Sequence, residues 1–259
     1  MKKPLALVTG GSAGIGLEIA RLAAMDGYDL VITGSSDRVI DAADELRQTG
    51  AEVIAVQSDL STEEGNIAVL NAITTTGRVP ELLVFNAGIA VGGAFVDVPL
   101  EMHMKLIALN VLSPVQMAHA LIPKLIESGG GKILFVSSLS AITPTPFESV
   151  YGPSKSFFTS FGHGIREELS GTGVQITILH PGATATEFHT RAGMSGTVFG
   201  DNSWKNDPAE VARQGYEGLK RGETSLVGGD EDTQEAGREL KQMSDEEKAH
   251  RQAKMSRPK

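Results

Sequence analysis

The chain contains no cysteine among its 259 residues. Neither disulfides nor thiolate chemistry are available to it. An excess of positive charge is also missing: 23 Lys and Arg stand against 32 Asp and Glu, a formal net charge of −9. That balance argues against a general nucleic-acid binder. No uninterrupted apolar run approaches the ~18 residues of a membrane helix. Lys2 and Lys3 precede the apolar run Leu5-Ala6-Leu7-Val8, but the run is too short for a secretory signal and ends in glycines. No membrane association and a cytoplasmic location are the expectation. His103, His119, His163, His180, His189 and His250 show no ligand spacing with carboxylates or with one another, so no catalytic metal is expected. No internal repeat, low-complexity linker or Gly-x-Ser-x-Gly nucleophile elbow stands out.

What is present is an alternation. Apolar runs of strand length occur at Leu5–Val8, Leu30–Thr33, Val53–Val56, Leu82–Phe85, Ile133–Val136 and Val174–Leu179. Several are nearly continuous, as parallel strands buried on both faces require. Between them lie helical patterns at Gly14–Met25, Asp37–Gln48, Glu63–Thr75, Leu100–Leu112, Pro114–Ile126 and Ser149–Leu169. The reading is a single α/β domain, a doubly wound parallel sheet with helices on both faces. Composition shifts after Val227, where Gly228-Gly229 leads into a charged stretch. Residues 1–227 are expected to form the domain, and 228–259 a charged tail, helical or partly disordered.

Two motifs carry chemistry. The first follows the first apolar run: Thr9-Gly10-Gly11-Ser12-Ala13-Gly14-Ile15-Gly16, then a helical pattern. Strand, glycine turn and helix N-terminus make a site for a pyrophosphate, because free N–H groups and the positive dipole end meet where the backbone can approach closely. An ordinary strand-to-helix turn would also use glycines. The second motif is Ser138, Tyr151 and Lys155. Tyr and Lys stand four apart, hence on one face of a helix. A phenol has an unperturbed pKa of about 10. A neighbouring ammonium would lower it, so that Tyr151 exchanges a proton near neutral pH. Pro153 fits only a first helical turn, so that helix should begin near Tyr151.

Taken together, these residues resemble the short-chain dehydrogenase/reductase family. The matching positions are Thr9-Gly10-x3-Gly14-x-Gly16, Asp59, Asn86-Ala87-Gly88, Asn110, Ser138, Tyr151-x3-Lys155 and Pro181-Gly182, over roughly residues 4–227. The resemblance implies a Rossmann-type fold and hydride transfer between NAD(P) and a carbonyl or alcohol. Tyr151 would be the acid/base, with Lys155 lowering its pKa and binding the nicotinamide ribose. Ser138 would orient the substrate oxygen; Ser137 competes, though adjacent strand residues point apart. Asn110 is either a helix break holding a water near Lys155 or a C-cap before Ser113-Pro114, and both can hold. Ser12, Ile15, Asp59 with Leu60, and Thr184 and Thr186 after Pro181-Gly182, complete the implied cofactor site. Phe85 departs from the family, which has a second Asn there.

The second strand ends at Gly34 followed by Ser35-Ser36-Asp37-Arg38, with no carboxylate to repel a 2′-phosphate. Ser35 and Arg38 suit one, so NADP(H) is favoured over NAD(H). Glu187–Asp207, with Phe188, Met194, Phe199 and Trp204, reads as a flap over the substrate. Phe95, Leu139, Ile142 and Phe147 are further candidates for an apolar pocket. No Arg or Lys is obviously placed to grip a substrate carboxylate, Arg191 being the flap candidate, so a small, mostly apolar carbonyl compound is favoured. A ketoreductase for acyl chains and a broad carbonyl reductase both stay open. The competing reading is a catalytically silent nucleotide-binding regulator or scaffold. The family pairs through two long helices, so a homodimer or homotetramer is expected. Gly162 and Gly164 would permit close helix packing across a two-fold.

Overall fold

The computed structural model describes residues 2–258. Seven parallel strands form one sheet: β1 (Leu5–Val8), β2 (Asp29–Gly34), β3 (Val53–Gln57), β4 (Leu82–Phe85), β5 (Gly131–Val136), β6 (Val174–Pro181) and β7 (Ser225–Gly228). Their order is β3-β2-β1-β4-β5-β6-β7. Side-chain alternation explains why the inner strands are apolar throughout. Ala6, Val8, Leu82, Val84, Leu134 and Val136 face one core layer. Leu5, Leu7, Leu83, Phe85, Ile133 and Phe135 face the other.

Helices α1 (Gly14–Met25), α2 (Arg38–Arg47) and α8 (Pro208–Arg221) cover the first face. On the second lie α3 (Glu63–Thr75), the long helix made of α4 (Leu100–Ile107) and α5 (Ser113–Glu127), and α6 (Tyr151–Glu168). α7 (Phe188–Arg191) is a single turn in the flap. Strand order reverses between β1 and β4, which opens a crevice beyond their carboxyl ends.

Two features depart from expectation. β7 and α8 were not foreseen. α8 hides its apolar stripe behind small residues (Ala212, Gly215, Gly218), although its ends are well marked by Asp207 capping Ala209 N–H and by Gly222 in the left-handed region. Second, Ser113-Pro114 does not break the helix. A wide π turn over Ala108–Leu112, closed by Ser113 N–H donating to Ala108 C=O, joins α4 to α5. Proline so early in α5 lacks only a donor that the wide turn leaves spare. The joined helix Leu100–Glu127 has 28 residues and is long and apolar enough by composition to cross a bilayer. Met117, Leu121 and Leu125 lie on its face against the sheet, while Leu100, Met104 and Leu112 are exposed. Beyond Val227 the chain finishes β7, and the charged stretch forms α9 (Glu231–Leu240) and α10 (Asp245–Ser256). α10 opens on a capping box between Ser244 and Glu247.

Candidate active site

The crevice is a cleft of about 740 Å³ that runs from the end of β2 past β1, β4 and β5 to the flap and α10. Its floor is the glycine turn. Gly10 and Gly14 hold φ of +65° and +55°, a region that other residues enter with strain. A Cβ on Gly16 would lie 2.3 Å from Gly10 C=O and from Asn86 Nδ2, so this glycine lets α1 close onto the turn. Ser12, Gly14 and Ile15 line the cleft together with Gly10, at the first turn of α1, where N–H groups have no helical partner.

Thr9 and Asn86 are the braces beneath. Thr9 Oγ1 donates to Val84 C=O (3.1 Å) and accepts from Asn86 N–H (3.0 Å) and Ala87 N–H (3.1 Å). Asn86 Nδ2 donates to the carbonyls of Thr9 (3.0 Å) and Gly10 (3.1 Å). Thr9 and Gly16 act through packing rather than by lining the cleft; Asn86, Ala87 and Gly88 do line it. Phe85 turns away and stacks on Phe135 at 5.2 Å.

At the β2 end, Gly34 and Ser35 line the cleft. A Cβ at Gly34 would meet Ser12 Oγ at 2.8 Å, so the glycine lets Ser12 pack close to the end of β2, and no acidic side chain stands there. Arg38 does not line the cleft; its guanidinium is held by Glu187 of the flap, which also takes Arg191 (2.5 Å). Asp59 and Leu60 lie farther along the rim. Asp59 accepts from Ser61 N–H (3.0 Å) and from Lys105 Nζ (2.8 Å). Burial works against its charge, but Lys105 and Ser61 prevail and hold the carboxyl below its ordinary range. Lys105, on α4, is a cleft residue that sequence reasoning missed. Ser58 Oγ is buried beside it without a hydrogen-bond partner. The left-handed glycine turn, the spare N–H groups and this unpartnered hydroxyl fit a dinucleotide.

Across the cleft, α6 starts at Tyr151 and seats both reactive side chains in its first turns. Tyr151 and Ser138 both line the cleft, the Ser138 hydroxyl near enough to ease ionisation of the phenol. Ser138 Oγ also accepts from Ser140 N–H at 3.0 Å, capping the short turn Leu139–Ile142. Ser137 points the other way, donating to Lys155 C=O (3.1 Å) and sharing a proton with Thr159 (2.7 Å). Alternation at the end of β5 therefore separates the two serines. Lys155 Nζ donates to Val136 C=O at 2.9 Å. Asn110 sits on the π turn behind Lys155. Its Oδ1 accepts from Ile89 N–H (3.0 Å), and its Nδ2 donates to Ile89 C=O (2.9 Å) and Ser154 Oγ (3.0 Å). It is not a C-cap, because no helix ends there. A Cβ on Gly88 would lie 3.2 Å from Asn110 Oδ1 and 3.4 Å from Lys155 Nζ, so the glycine leaves both groups room.

The electrostatics correct one expectation. Burial pushes the Tyr151 phenol well above its ordinary range; the nearby Ser138 hydroxyl pulls it down, and the charge of Glu148 pushes it up again. Lys155 makes no comparable contribution, since its ammonium is turned toward the Val136 carbonyl. Burial lowers Lys155 itself to about 8. The phenol is thus protonated near neutral pH in this cleft, a proton donor first.

The substrate end is formed by the flap and the tail. Pro181 and Gly182 end β6; a Cβ on Gly182 would strike Thr233 of α9 at 2.4 Å. Thr184 Oγ1 donates to Gly182 C=O (2.9 Å), and Thr186 lies over Gly14. Phe188, Phe199 and Trp204 of the flap line this end with Leu139, while Met194 is buried behind them. Phe95, Ile142 and Phe147 do not line it: Phe95 stacks on His103 outside, and Phe147 faces Arg257. Glu148, Lys248, Arg251, Gln252 and Met255 do, and none was singled out in the sequence. Glu148 carries no local signal, since an isolated acid in a loop reads as surface. His180 and His189 are both lowered to about 4 by burial. His180 meets Thr159 (3.2 Å), and His189 stacks on Phe199 at 4.7 Å.

Comparison with known proteins agrees with this geometry. A reductase from Chromohalobacter salexigens, "Sulfoacetaldehyde reductase 2", is 35% identical over 187 residues, 71% of this chain and 74% of its own length. Among other curated relatives the matched span falls to 32% of the relative's length. A short-chain dehydrogenase from Sphingobium yanoikuyae, solved with NADPH, superposes with a TM-score of 0.80 at 31% identity, covering 86% of this chain and 87% of that one. A Burkholderia phymatum enzyme of the same fold, solved with NAD, gives 0.78 at 21% identity, with 86% and 88% covered. The family model described as short chain dehydrogenase matches residues 4–194, from before β1 to the middle of the flap. With that match joined to the glycine cradle and the Ser138–Tyr151 pair, the chain belongs to the short chain dehydrogenase family.

Proposed function

We propose that the protein is an NADP(H)-linked reductase of a small, mostly apolar ketone or aldehyde. The observation that carries this reading is the convergence of Ser138, Tyr151 and Lys155 in one cleft with the glycine cradle. Gly10, Ser12, Gly14 and Ile15 would hold the pyrophosphate; Asp59 and Leu60 the adenine end; Tyr151, Lys155, Pro181, Gly182, Thr184 and Thr186 the nicotinamide end. The bound nucleotide supplies hydride. The chain's own residues do the rest. Ser138 hydroxyl donates to the substrate oxygen and fixes its position. Tyr151 passes its phenolic proton to that oxygen as negative charge builds there. Phe188, Phe199 and Trp204 keep water away. Burial keeps the phenol in its protonated form, the form from which reduction starts, and this supports the reductive direction. NADP(H) is favoured because Gly34 presents no carboxylate to repel a 2′-phosphate, while Ser12 and Ser35 offer hydroxyls to one.

Steady-state consumption of NADPH and of NADH with a panel of ketones and aldehydes tests the reading. Turnover at a kcat/KM at least tenfold higher with NADPH is expected. Binding of NADPH without turnover of any carbonyl, and without loss on Tyr151→Phe, would favour the silent regulator. We further infer a homodimer or larger homo-oligomer through the exposed apolar face of α4, α5 and α6. A cytoplasmic site of action is in keeping with the absence of cysteine.

A further inference from the structure

The charged tail brings a small neutral and apolar patch to the cleft that the chemistry above does not use. It starts from a strained turn. Phe147 holds φ of +64°, the one non-glycine residue in the left-handed region among the described residues. Such a conformation costs on the order of 1–3 kcal/mol and persists where its surroundings demand it. Here it sends the ring out beneath the Arg257 guanidinium, 5.5 Å away, and the next side chain inward. That side chain is Glu148, only 3% exposed. A buried carboxyl is costly unless it is hydrogen-bonded, and no ammonium or guanidinium offsets this one. Its side-chain partners all come from α10. Ser256 Oγ donates to Glu148 Oε2 at 3.2 Å and Gln252 Nε2 at 3.5 Å, while Gln252 also donates to Ser256 Oγ at 3.0 Å. One turn of helix is thereby tied to a residue three positions before the catalytic tyrosine. Met255, on that same turn, packs in one apolar cluster with Tyr151, Phe188 and Phe199 and lines the cleft. The other long tail side chains there are committed elsewhere: Lys248 to Asp245 (3.1 Å) and Arg251 to Glu239 (2.9 Å).

We propose that α10 is the roof of the substrate end, that Glu148 is the positioning residue holding it there, and that Met255 sets the largest apolar substituent a carbonyl substrate can carry toward the tail. The inference rests on the reductase reading. It adds that part of the specificity lies beyond the matched family segment, in residues 244–256.

The test uses the full chain, saturated with NADPH, and methyl ketones graded from butanone to acetophenone. Met255→Ala is expected to raise kcat/KM for the bulky ketones relative to butanone about tenfold, the scale of a few methylenes in a pocket. Ser256→Ala and Glu148→Ala are expected to speed amide hydrogen exchange across α10 at least tenfold. They should raise KM for every ketone severalfold, with kcat changed much less. Glu148→Gln, which keeps an acceptor oxygen for both donors, should restore KM and exchange protection. An unchanged size ratio in Met255→Ala, or unchanged α10 exchange in Ser256→Ala, overturns the proposal; the latter variant carries the test if Glu148→Ala does not fold. A wild type that binds NADPH and reduces no ketone removes the reductase reading instead. In that case faster α10 exchange in Ser256→Ala still supports the latch.

Discussion

Tyr151 and Lys155 show how burial redirects a motif. Read along the helix, an ammonium four residues from a phenol should make the phenol acidic. In the fold both groups are desolvated, each drifts toward its neutral form, and Lys155 spends its donor on Val136 C=O. Two outcomes follow. Tyr151→Phe should cut kcat by about 10²–10⁴, the range of a lost proton donor. Its NADPH affinity, by fluorescence titration, should move little. Lys155 loses its charge above about 8, so ketone reduction should decline on the alkaline side with an apparent pKa near that value. A rate flat from pH 7 to 10 would contradict that placement. Glu148 gives a third outcome. Its carboxyl is raised from 4.5 to about 7 by burial. The folded state therefore binds more protons than the unfolded one between those values, and stability falls as pH rises through them. The buried charge costs roughly 3 kcal/mol at most. Relative to Glu148→Gln, the wild-type Tm should drop between pH 4.5 and 7 and run parallel above. Equal pH slopes for the two proteins would exclude a buried, unpaired carboxyl.

Among the elements, α6 separates two glycines that look alike in sequence. A Cβ on Gly162 would meet Ile178 and Phe135 at 3.1 Å each, so this glycine seats the helix on β5 and β6. It does not face a two-fold partner, contrary to expectation. Gly164 has open space around it and faces outward. Gly162→Ala should destabilise by ~1–3 kcal/mol through overpacking. Gly164→Ala should gain up to ~1 kcal/mol of helix propensity. Chemical denaturation of the two variants should thus move midpoints in opposite directions; a shared direction would reverse the assignment. The π turn at Ala108–Leu112 makes a related point. From sequence, Ser113-Pro114 predicts a stop. Leu106 before the turn is buried with the flap cluster, while Met117, Leu121 and Leu125 after it are buried against the sheet, and keeping both sets buried on one continuous helix favours a widened turn over an end.

Taken whole, the molecule leaves one apolar face uncovered. Leu100, Met104 and Leu112 on the long helix are 70%, 55% and 54% exposed, and Phe157 on α6 is 39% exposed. These exposed apolar side chains are what the proposed assembly would cover. Light scattering at micromolar concentration should report a dimer or larger species, and Leu112→Lys with Phe157→Glu should return it to a monomer. An unmodified chain that runs as a monomer would remove the assembly.

The alternation of apolar runs already determined the doubly wound sheet, because strands covered on both faces must be apolar at every position. The glycine turn was legible for a similar reason: only glycine reaches the backbone angles and close approaches that a phosphate cradle needs. The family motif likewise named Ser138, Tyr151 and Lys155 from spacing. Tertiary structure decided what depends on distant neighbours. It tied Arg38 to Glu187 and turned the Ser137 hydroxyl toward Lys155 C=O and Thr159. It also raised the phenol instead of acidifying it, and brought the charged tail onto Glu148. Local pattern reports which face of an element is apolar, whereas desolvation and pairing depend on what folds over that face from a hundred residues away.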